Sequence, residues 1–441
     1  MKDSKLFFKN TLLTLSRQIS GILLGLLASI IIARVLGPKG NGLYQLITLL
    51  PTTLMTLLNF GVGTSSVYYV GQKRYDIKDI IKTNTASGVV LSLLSIVIGI
   101  IVVLFFSDKF FEGVPQPYLY FILIIMPLLM LNDFYLITFQ SVQDFRSFNS
   151  LALTRQLVAL ISLTILLFIF DTGLVGTVFS FSLGVISQFI LTMILFRKRM
   201  HLSIFTGNLS KKYFKESFSF GFKAHFSNIL SFINYRADIF LISMFLSPAA
   251  VGLYGVAVSI AEKLWIVSQA ISSVLYPVVS SSNDDENKNR LTSAISRNVL
   301  YFSIIGGIAF YFASNFIFNL MFGAKYDQSS DLLKMLLPGI ILFSVDRILS
   351  NDLAGRGKPE LNMYTSIFTV ASNIVLNVIL IPKIGIMGSA ISTSVTYSLS
   401  TMVKIVLFKR KTGVSYSQLL LLQKEDITLY KQIISKVRKK R

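Results

Sequence analysis

Twelve runs of mostly apolar residues, each long enough to cross a bilayer, dominate this sequence. A crossing takes about 20 such residues. The runs fall at about 10–36, 41–70, 83–106, 117–141, 149–170, 173–196, 217–246, 249–279, 298–322, 328–352, 360–381 and 384–408. Several exceed the minimum, which allows tilt. No alternating ten-residue pattern of the outer-membrane-barrel kind is present. The sequence therefore predicts an all-α polytopic membrane protein. Composition agrees: 53% of the 441 residues are hydrophobic and only 14% are charged, against roughly 25% charged in an ordinary soluble domain. The first run is too long for a signal peptide, carries Arg17 and has no clear cleavage site, so it reads as the first helix.

The net charge of +21 gives the orientation. Of the 42 Lys and Arg, nine lie within or near the spans, and Lys39, Lys109, Lys325 and Lys383 lie in loops after odd-numbered spans. All the others lie at the N-terminus, in loops after even-numbered spans, or in the tail from Lys409. The positive-inside rule puts both termini in the cytoplasm, of a chain in the cytoplasmic membrane, and the basic loops against anionic lipids. The tail repeats Tyr430, Ile434 and Val437 among Lys and Arg; it reads either as an interfacial helix or as a solvated basic tail.

Several activities are excluded or disfavoured. Cysteine is absent and there are two histidines, so no disulfide, thiolate chemistry or zinc site is expected. No GxxxxGK[ST] loop is present to hydrolyse ATP. An oily chain whose charge sits in short loops is not a typical nucleic-acid binder. The longest loop, about 197–216, is too short for an enzyme domain. No catalytic residues, metal or cofactor are expected.

The chain contains the same plan twice. Residues 36–44 (LGPKGNGLY) match 246–254 (LSPAAVGLY) at five of nine positions. Residues 173–177 (GLVGT) match 385–389 (GIMGS), and both copies run on to a basic end, 196–199 and 408–411. Asp133 falls on Asp346 and Asn149 on Asn362. The offset of about 210 residues spans an even number of helices, so the two halves share one membrane orientation. The expected domains are a six-helix lobe (1–200), a basic cytoplasmic linker (201–216), a second six-helix lobe (217–411) and a basic tail (412–441). In transporters, parallel repeats of this kind place the substrate site between the halves.

Polar stripes point to the same place. Lys223, Ser227, Ser231, Asn234 and Asp238 fall within one arc of about 80° on helix 7. Helix 1 carries Asn10, Thr14, Arg17 and Gln18. Thr52, Thr56 and Asn59 on helix 2 align with Glu262, Ile266 and Gln269 on helix 8. Such stripes face a wet cavity or another helix. The cations in or near the spans are Arg17, Arg34, Arg155, Lys223, Arg236, Lys263, Lys334, Arg347 and Lys404; the acids are Asp133, Asp238, Glu262, Asp346 and Asp352. Arg34, Lys404 and Arg155 are expected to snorkel from helix ends. Internal pairing is expected of Lys223 or Arg236 with Asp238, and of Asp346 with Arg347. The surplus is positive, which suits a substrate carrying phosphate. The candidate substrate-binding residues are Arg17, Gln18, Asn59, Lys223, Asn234, Arg236, Lys263, Gln269 and Arg347. Candidates for ion or proton coupling are Asp133, His225, Asp238, Glu262 and Asp346. Pro51, Pro127, Pro277 and Pro338 are candidate bend points.

Residues 34–44 (RVLGPKGNGLY), 234–238 (NYRAD), 246–254 (LSPAAVGLY) and 276–277 (YP) resemble the multidrug/oligosaccharidyl-lipid/polysaccharide exporter superfamily, over nearly the whole membrane region. Within it the chain looks most like polysaccharide flippases of the O-antigen and capsule type. That resemblance implies two six-helix lobes meeting in a V around a central cavity. It also implies translocation of undecaprenyl-diphosphate-linked oligosaccharide from the inner to the outer leaflet by alternating access. Arg17 and the Arg236/Asp238 pair stand where such flippases carry diphosphate-binding cations. The implied partners are the lipid-linked glycan, a polysaccharide polymerase and chain-length proteins, around a monomeric transporter. Drug or cation antiporters of the same superfamily and lipid II flippases are the alternatives. A major-facilitator transporter is disfavoured because residues 71–78 lack its loop signature.

Overall fold

A computed structural model describes residues 2–282, 284–424 and 426, with the side chains of 2–15, 223, 224, 273 and 277 outside the description. Each of the twelve apolar runs falls on helix, and there is no strand among the described residues. The helices are α1 (Lys2–Leu58), α2 (Val62–Gly71), α3 (Ile77–Phe110), α4 (Gln116–Ile124), α5 (Met126–Ser141), α6 (Phe145–Phe168), α7 (Gly173–Leu195) and α8 (Lys211–Phe245). They continue as α9 (Pro248–Ala261), α10 (Trp265–Ser281), α11 (Asp285–Met321), α12 (Asp327–Gly355), α13 (Pro359–Ile384), α14 (Ile386–Thr412) and the short α15 (Tyr416–Leu420).

Eight described helical stretches are long and apolar enough to cross a membrane, or nine when the bent pair α4/α5 counts as one span. The longest of them, 16–58, takes in most of one sequence-predicted run and the first part of the next, divided by a break at Gly37. Gly37 has φ 66, a conformation that costs little only without a Cβ. The two long helices outside this set are α8 and α12, which carry Arg236, Asp238, Asp346 and Arg347. Of the sequence-predicted bend points, Pro127 sits at a real one: α4 and α5 meet at 42°. Pro51 and Pro338 lie inside continuous helix.

Contacts divide the chain into two compact units. The first comprises residues 1–232 with 247–252; the second comprises 233–246 with 253–441. In the first, α6 packs along α7 and α1, and α5 packs on α2 and α3. Its core holds Tyr135, Phe139 and Phe196 in ring contact. The first half of α8 is tied in by side chains: Tyr213 bonds Ser66 and Asn84, Ser65 bonds Ser217, and Glu216 accepts from Arg74 (2.9 Å) and Tyr75 (2.7 Å).

The two copies of the repeated motif also touch within this first unit. A Cβ on Gly42 would strike the Pro248 carbonyl, and a Cβ on Gly252 would strike the Pro38 carbonyl. Gly61 and Gly221 make the same reciprocal backbone approach. Only glycine permits contacts this close.

In the second unit, α12 is the hub, packing on α14, α11 and α10, while α13 packs on α14. The segment after α14 folds back on α11. Asp426 receives Nε and Nη2 of the buried Arg297, and Arg297 Nη1 donates to the Gln418 carbonyl at 3.1 Å. The sequence-predicted tail pattern at 430–437 lies outside the described residues.

Candidate substrate and coupling sites

Three cations of the second unit surround one acid. Arg236 comes from α8, Lys263 and Glu262 from the 3-10 turn between α9 and α10, and Arg347 from α12. All three cations lie within electrostatic reach of Glu262. One carboxylate against three cations leaves a local surplus of positive charge. Arg347 is held in place by aromatic faces: its guanidinium carbon stands 4.6 Å from the Trp265 ring centre, and Nη2 donates to the Tyr235 hydroxyl at 3.1 Å. Trp265 is fixed by its own N–H, which donates to the Ile340 carbonyl at 2.9 Å. Phe343 and Tyr397 stack at 4.4 Å beside it. Nη1 of Arg347 is buried with no protein partner. A buried donor without an acceptor is costly unless a ligand or water completes it.

A second cluster lies around Asp238, also in the second unit. This carboxylate is buried. Oδ2 accepts from the Tyr254 hydroxyl (2.7 Å) and the Thr393 hydroxyl (2.6 Å), and Oδ1 accepts from Asn377 Nδ2 (3.0 Å). Asn377 Nδ2 also donates to Asn373. These donors are neutral, so the expected Asp238–Arg236 pair is not formed. The carboxylate thus accepts from two hydroxyls and one amide, and the Oδ1 atom of Asn377 and the hydroxyl of Ser389 are buried nearby without partners. Among the described residues of this cluster no cation balances its charge, which is costly in the interior.

Several other interior charges have partners. Asp346 pairs with Lys404, not with its neighbour Arg347: the contact is 2.9 Å and both side chains are 4% exposed. Ser400 and Ser350 complete it. Lys404 therefore does not snorkel, because a carboxylate one helix away is nearer than water. Arg155 does not snorkel either. It sits mid-way along α6, 5.4 Å from the Phe181 ring centre and within electrostatic reach of Asp133 and Tyr44. Arg34 is exposed as expected. Asp352 is held by Arg356 and Thr292.

The first unit holds the remaining candidates. Arg17 is half-buried, its guanidinium 4.9 Å from the Phe148 ring centre, with Nε buried and unpartnered. Gln18 beside it is exposed. Asn59 serves the local backbone, its Oδ1 accepting the Gly61 N–H at the break between α1 and α2. His225 is buried, with Nε2 3.0 Å from the Leu57 carbonyl and Nδ1 unpartnered. The side chain of Lys223 lies outside the described ones. On α8, Ser227, Asn228 and Ser231 are exposed, whereas Asn234, in the second unit, is buried with Oδ1 unpartnered. Gln269, also in the second unit, is exposed.

Sequence reasoning does not mark Tyr235, Trp265, Asn373, Asn377 or Thr393 as site residues. Asn373 and Asn377 sit four apart in an apolar helix, a signal outside the four helices on which the polar stripes were read.

The helical arrangement matches solved proteins. It aligns to the inward-facing structure of a multidrug resistance MATE family transporter of the MOP superfamily with a TM-score of 0.76, at 14% identity, covering 89% of this chain and 94% of that one. The fold is thus that of the multidrug/oligosaccharidyl-lipid/polysaccharide superfamily. The sequence matches the family described as "Polysaccharide biosynthesis protein" over residues 7–283, and the MatE family over 224–379. The chain belongs to the polysaccharide biosynthesis protein family. Among its relatives is the probable low-salt glycan biosynthesis flippase Agl15 of Haloferax volcanii, 28% identical over 46% of this chain and 44% of that protein. Another is a putative O-antigen transporter of Shigella flexneri, 24% identical over 87% of this chain and 93% of that one. The chain spans less than half the length of several of the curated relatives it matches.

Proposed function

We propose that this chain is a flippase of the cytoplasmic membrane. It carries a polyprenyl-diphosphate-linked oligosaccharide, of the undecaprenyl type, from the inner to the outer leaflet by alternating access. The observation that carries the reading is the convergence of Arg236, Lys263 and Arg347 on a single Glu262, with one guanidinium N–H of Arg347 left without an acceptor. Guanidinium groups grip phosphate oxygens in pairs. A cation antiporter would have no use for this surplus. The kinship with a glycan flippase and an O-antigen transporter supports the same substrate class.

Both termini lie in the cytoplasm, and the basic loops meet the anionic inner leaflet. The transporter acts as a monomer and passes its cargo toward polymerase and chain-length proteins. It needs no cofactor and performs no covalent chemistry. Moving two negative charges outward is downhill in an inside-negative cell by about 4.6 kcal/mol per 100 mV. Asp238 is the coupling residue, exchanging a proton or a sodium ion during the cycle. Asp133, His225, Glu262 and Asp346 are ranked below it, because each has a cation or a backbone carbonyl within reach.

The test is the leaflet accessibility of the lipid-linked sugar in cells depleted of this protein and lacking a redundant flippase. Inner-leaflet accumulation is expected; normal outer-leaflet appearance overturns the proposal. Arg347→Glu, checked for folding, is expected to abolish transport.

A further inference from the structure

The loop between α7 and α8 is fastened along the start of α3. The Asn208 N–H donates to Asp79 Oδ1 at 2.7 Å, and the Ser210 N–H donates to Thr83 Oγ1 at 3.1 Å. Gly207 lies against the Lys78 backbone so closely that a Cβ would not fit. Between this fastened loop and α3 runs an open groove of about 230 Å³, lined by Ala86, Ser87, Val90, Leu91, Leu209 and Phe214, with the exposed Lys211 at its edge. All of these residues belong to the first unit.

The hydroxyls that line the groove are engaged in local hydrogen bonds. The Ser87 hydroxyl donates to the Thr83 carbonyl, Thr83 Oγ1 takes the Ser210 N–H, and Ser210 Oγ takes the Tyr213 N–H. A sugar or a nucleotide would find little there to fix it. Apolar side chains stand outward around the groove: Val90 is 64% exposed, Leu209 62% and Phe214 46%. Water would be a poor neighbour for that surface. At the edge the chemistry changes. Lys211 is exposed, and Lys82 lies one helical turn from Ala86 on the same face of α3. Lys82 Nζ spends one donor on the Phe205 carbonyl, 3.2 Å away, and an ammonium has three.

We propose that this groove binds one acyl chain of an anionic phospholipid, with Lys211 and Lys82 holding the lipid phosphate. An ammonium binds a phosphate oxygen as a point charge, with no demand for the paired geometry that a guanidinium uses. The bound lipid fastens the loop–α3 seam to the leaflet that faces the basic loops. Neither the groove nor its lipid depends on what the protein transports.

The test uses the full-length protein in nanodiscs of phosphatidylcholine containing a minor fraction of phosphatidylglycerol. Lipid retained by the released protein is counted by native mass spectrometry. The wild type is expected to keep one phosphatidylglycerol in preference to phosphatidylcholine. Ala86→Trp, which puts bulk into the groove, and Lys211→Glu, which reverses the charge at its edge, are expected to lower its occupancy about fivefold or more, the scale of one lost Lys–lipid attraction. Val97→Trp, on the same helix outside the groove, is expected to leave it unchanged. Equal retention by all variants overturns the proposal. So does retention of phosphatidylcholine as strongly as phosphatidylglycerol, or displacement of the latter by an equimolar polyprenyl monophosphate. If Ala86→Trp does not fold, Lys211→Glu at an exposed position decides.

Discussion

The two copies of the repeat use their interior charge differently. Tyr44 and Tyr254 are equivalent residues of the duplicated motif, yet their surroundings have diverged. Tyr254 donates to the buried Asp238. The position equivalent to Asp238 in the first copy is Ala28, and Tyr44 stands within electrostatic reach of Arg155 instead. The equivalent acids Asp133 and Asp346 also differ in partner. Asp346 is met by Lys404 of α14, whereas Asp133 is approached by Arg155 of α6. One ancestral scaffold has thus kept its helices and its turns while placing its titratable groups afresh. The lesson is that duplicated backbone geometry survives where steric fit demands it, and charge follows function.

The sharpest way to break this comparison is Asp238→Asn, which keeps the shape and most hydrogen bonds but removes the charge found only in the second copy. If this carboxylate couples transport, the rate falls by about 100-fold or more in proteoliposome or cell-based flipping assays, within the range for losing a positioned proton-transfer group. Ala28→Asp, its mirror in the first copy, should not restore it. An unaltered rate in Asp238→Asn would make the two copies functionally equal.

Next in size is Lys404→Met. It strands Asp346 in the interior and should destabilise the folded protein by about 3–5 kcal/mol. Adding Asp346→Asn should recover most of that loss in thermal unfolding. Gly42→Ala and Gly252→Ala test the shared feature, and each should cost about 1–3 kcal/mol through overpacking. Gly25→Ala and Gly71→Ala, where an added Cβ meets nothing, should be near neutral.

The smallest effect is a pH dependence confined to the second copy. Burial opposes the charge on Asp426, but hydrogen bonds from Arg297, the Gln423 N–H and Asn298 outweigh it and hold the carboxyl below the ordinary carboxylate range. The clasp between the post-α14 segment and α11 therefore contributes fully at neutral pH and above the usual carboxylate pKa. It is lost as pH falls through the depressed value. Limited proteolysis near residue 420 should rise with acidification in the wild type, and be high at all pH values in Asp426→Asn.

Much of this was legible from the residues. Apolar run length located the long helices, because a bilayer imposes that length directly, and it reached even α8 and α12, whose interior charges keep them below the apolar threshold of the others. The repeat was legible because the LxPxxxGLY spacing is a steric requirement written in the sequence. The pairing of charges was not. Asp346 and Arg347 are neighbours in the chain, but successive side chains on a helix point about 100° apart. Asp346 therefore met Lys404, 58 residues away, while Arg347 turned toward Tyr235 and Trp265. The coordination around Asp238 was likewise hidden, since it draws on α8, α9, α13 and α14 at once.

The reciprocal seating of Gly42 on Pro248 and Gly252 on Pro38 has a consequence for how the chain can change. Each glycine leaves room for the other copy's proline carbonyl, so neither motif is free to drift alone. A bulkier residue in one motif is felt as a collision by the other. The kinship of the two sequences at this point is thus maintained by mutual obstruction as well as by common descent.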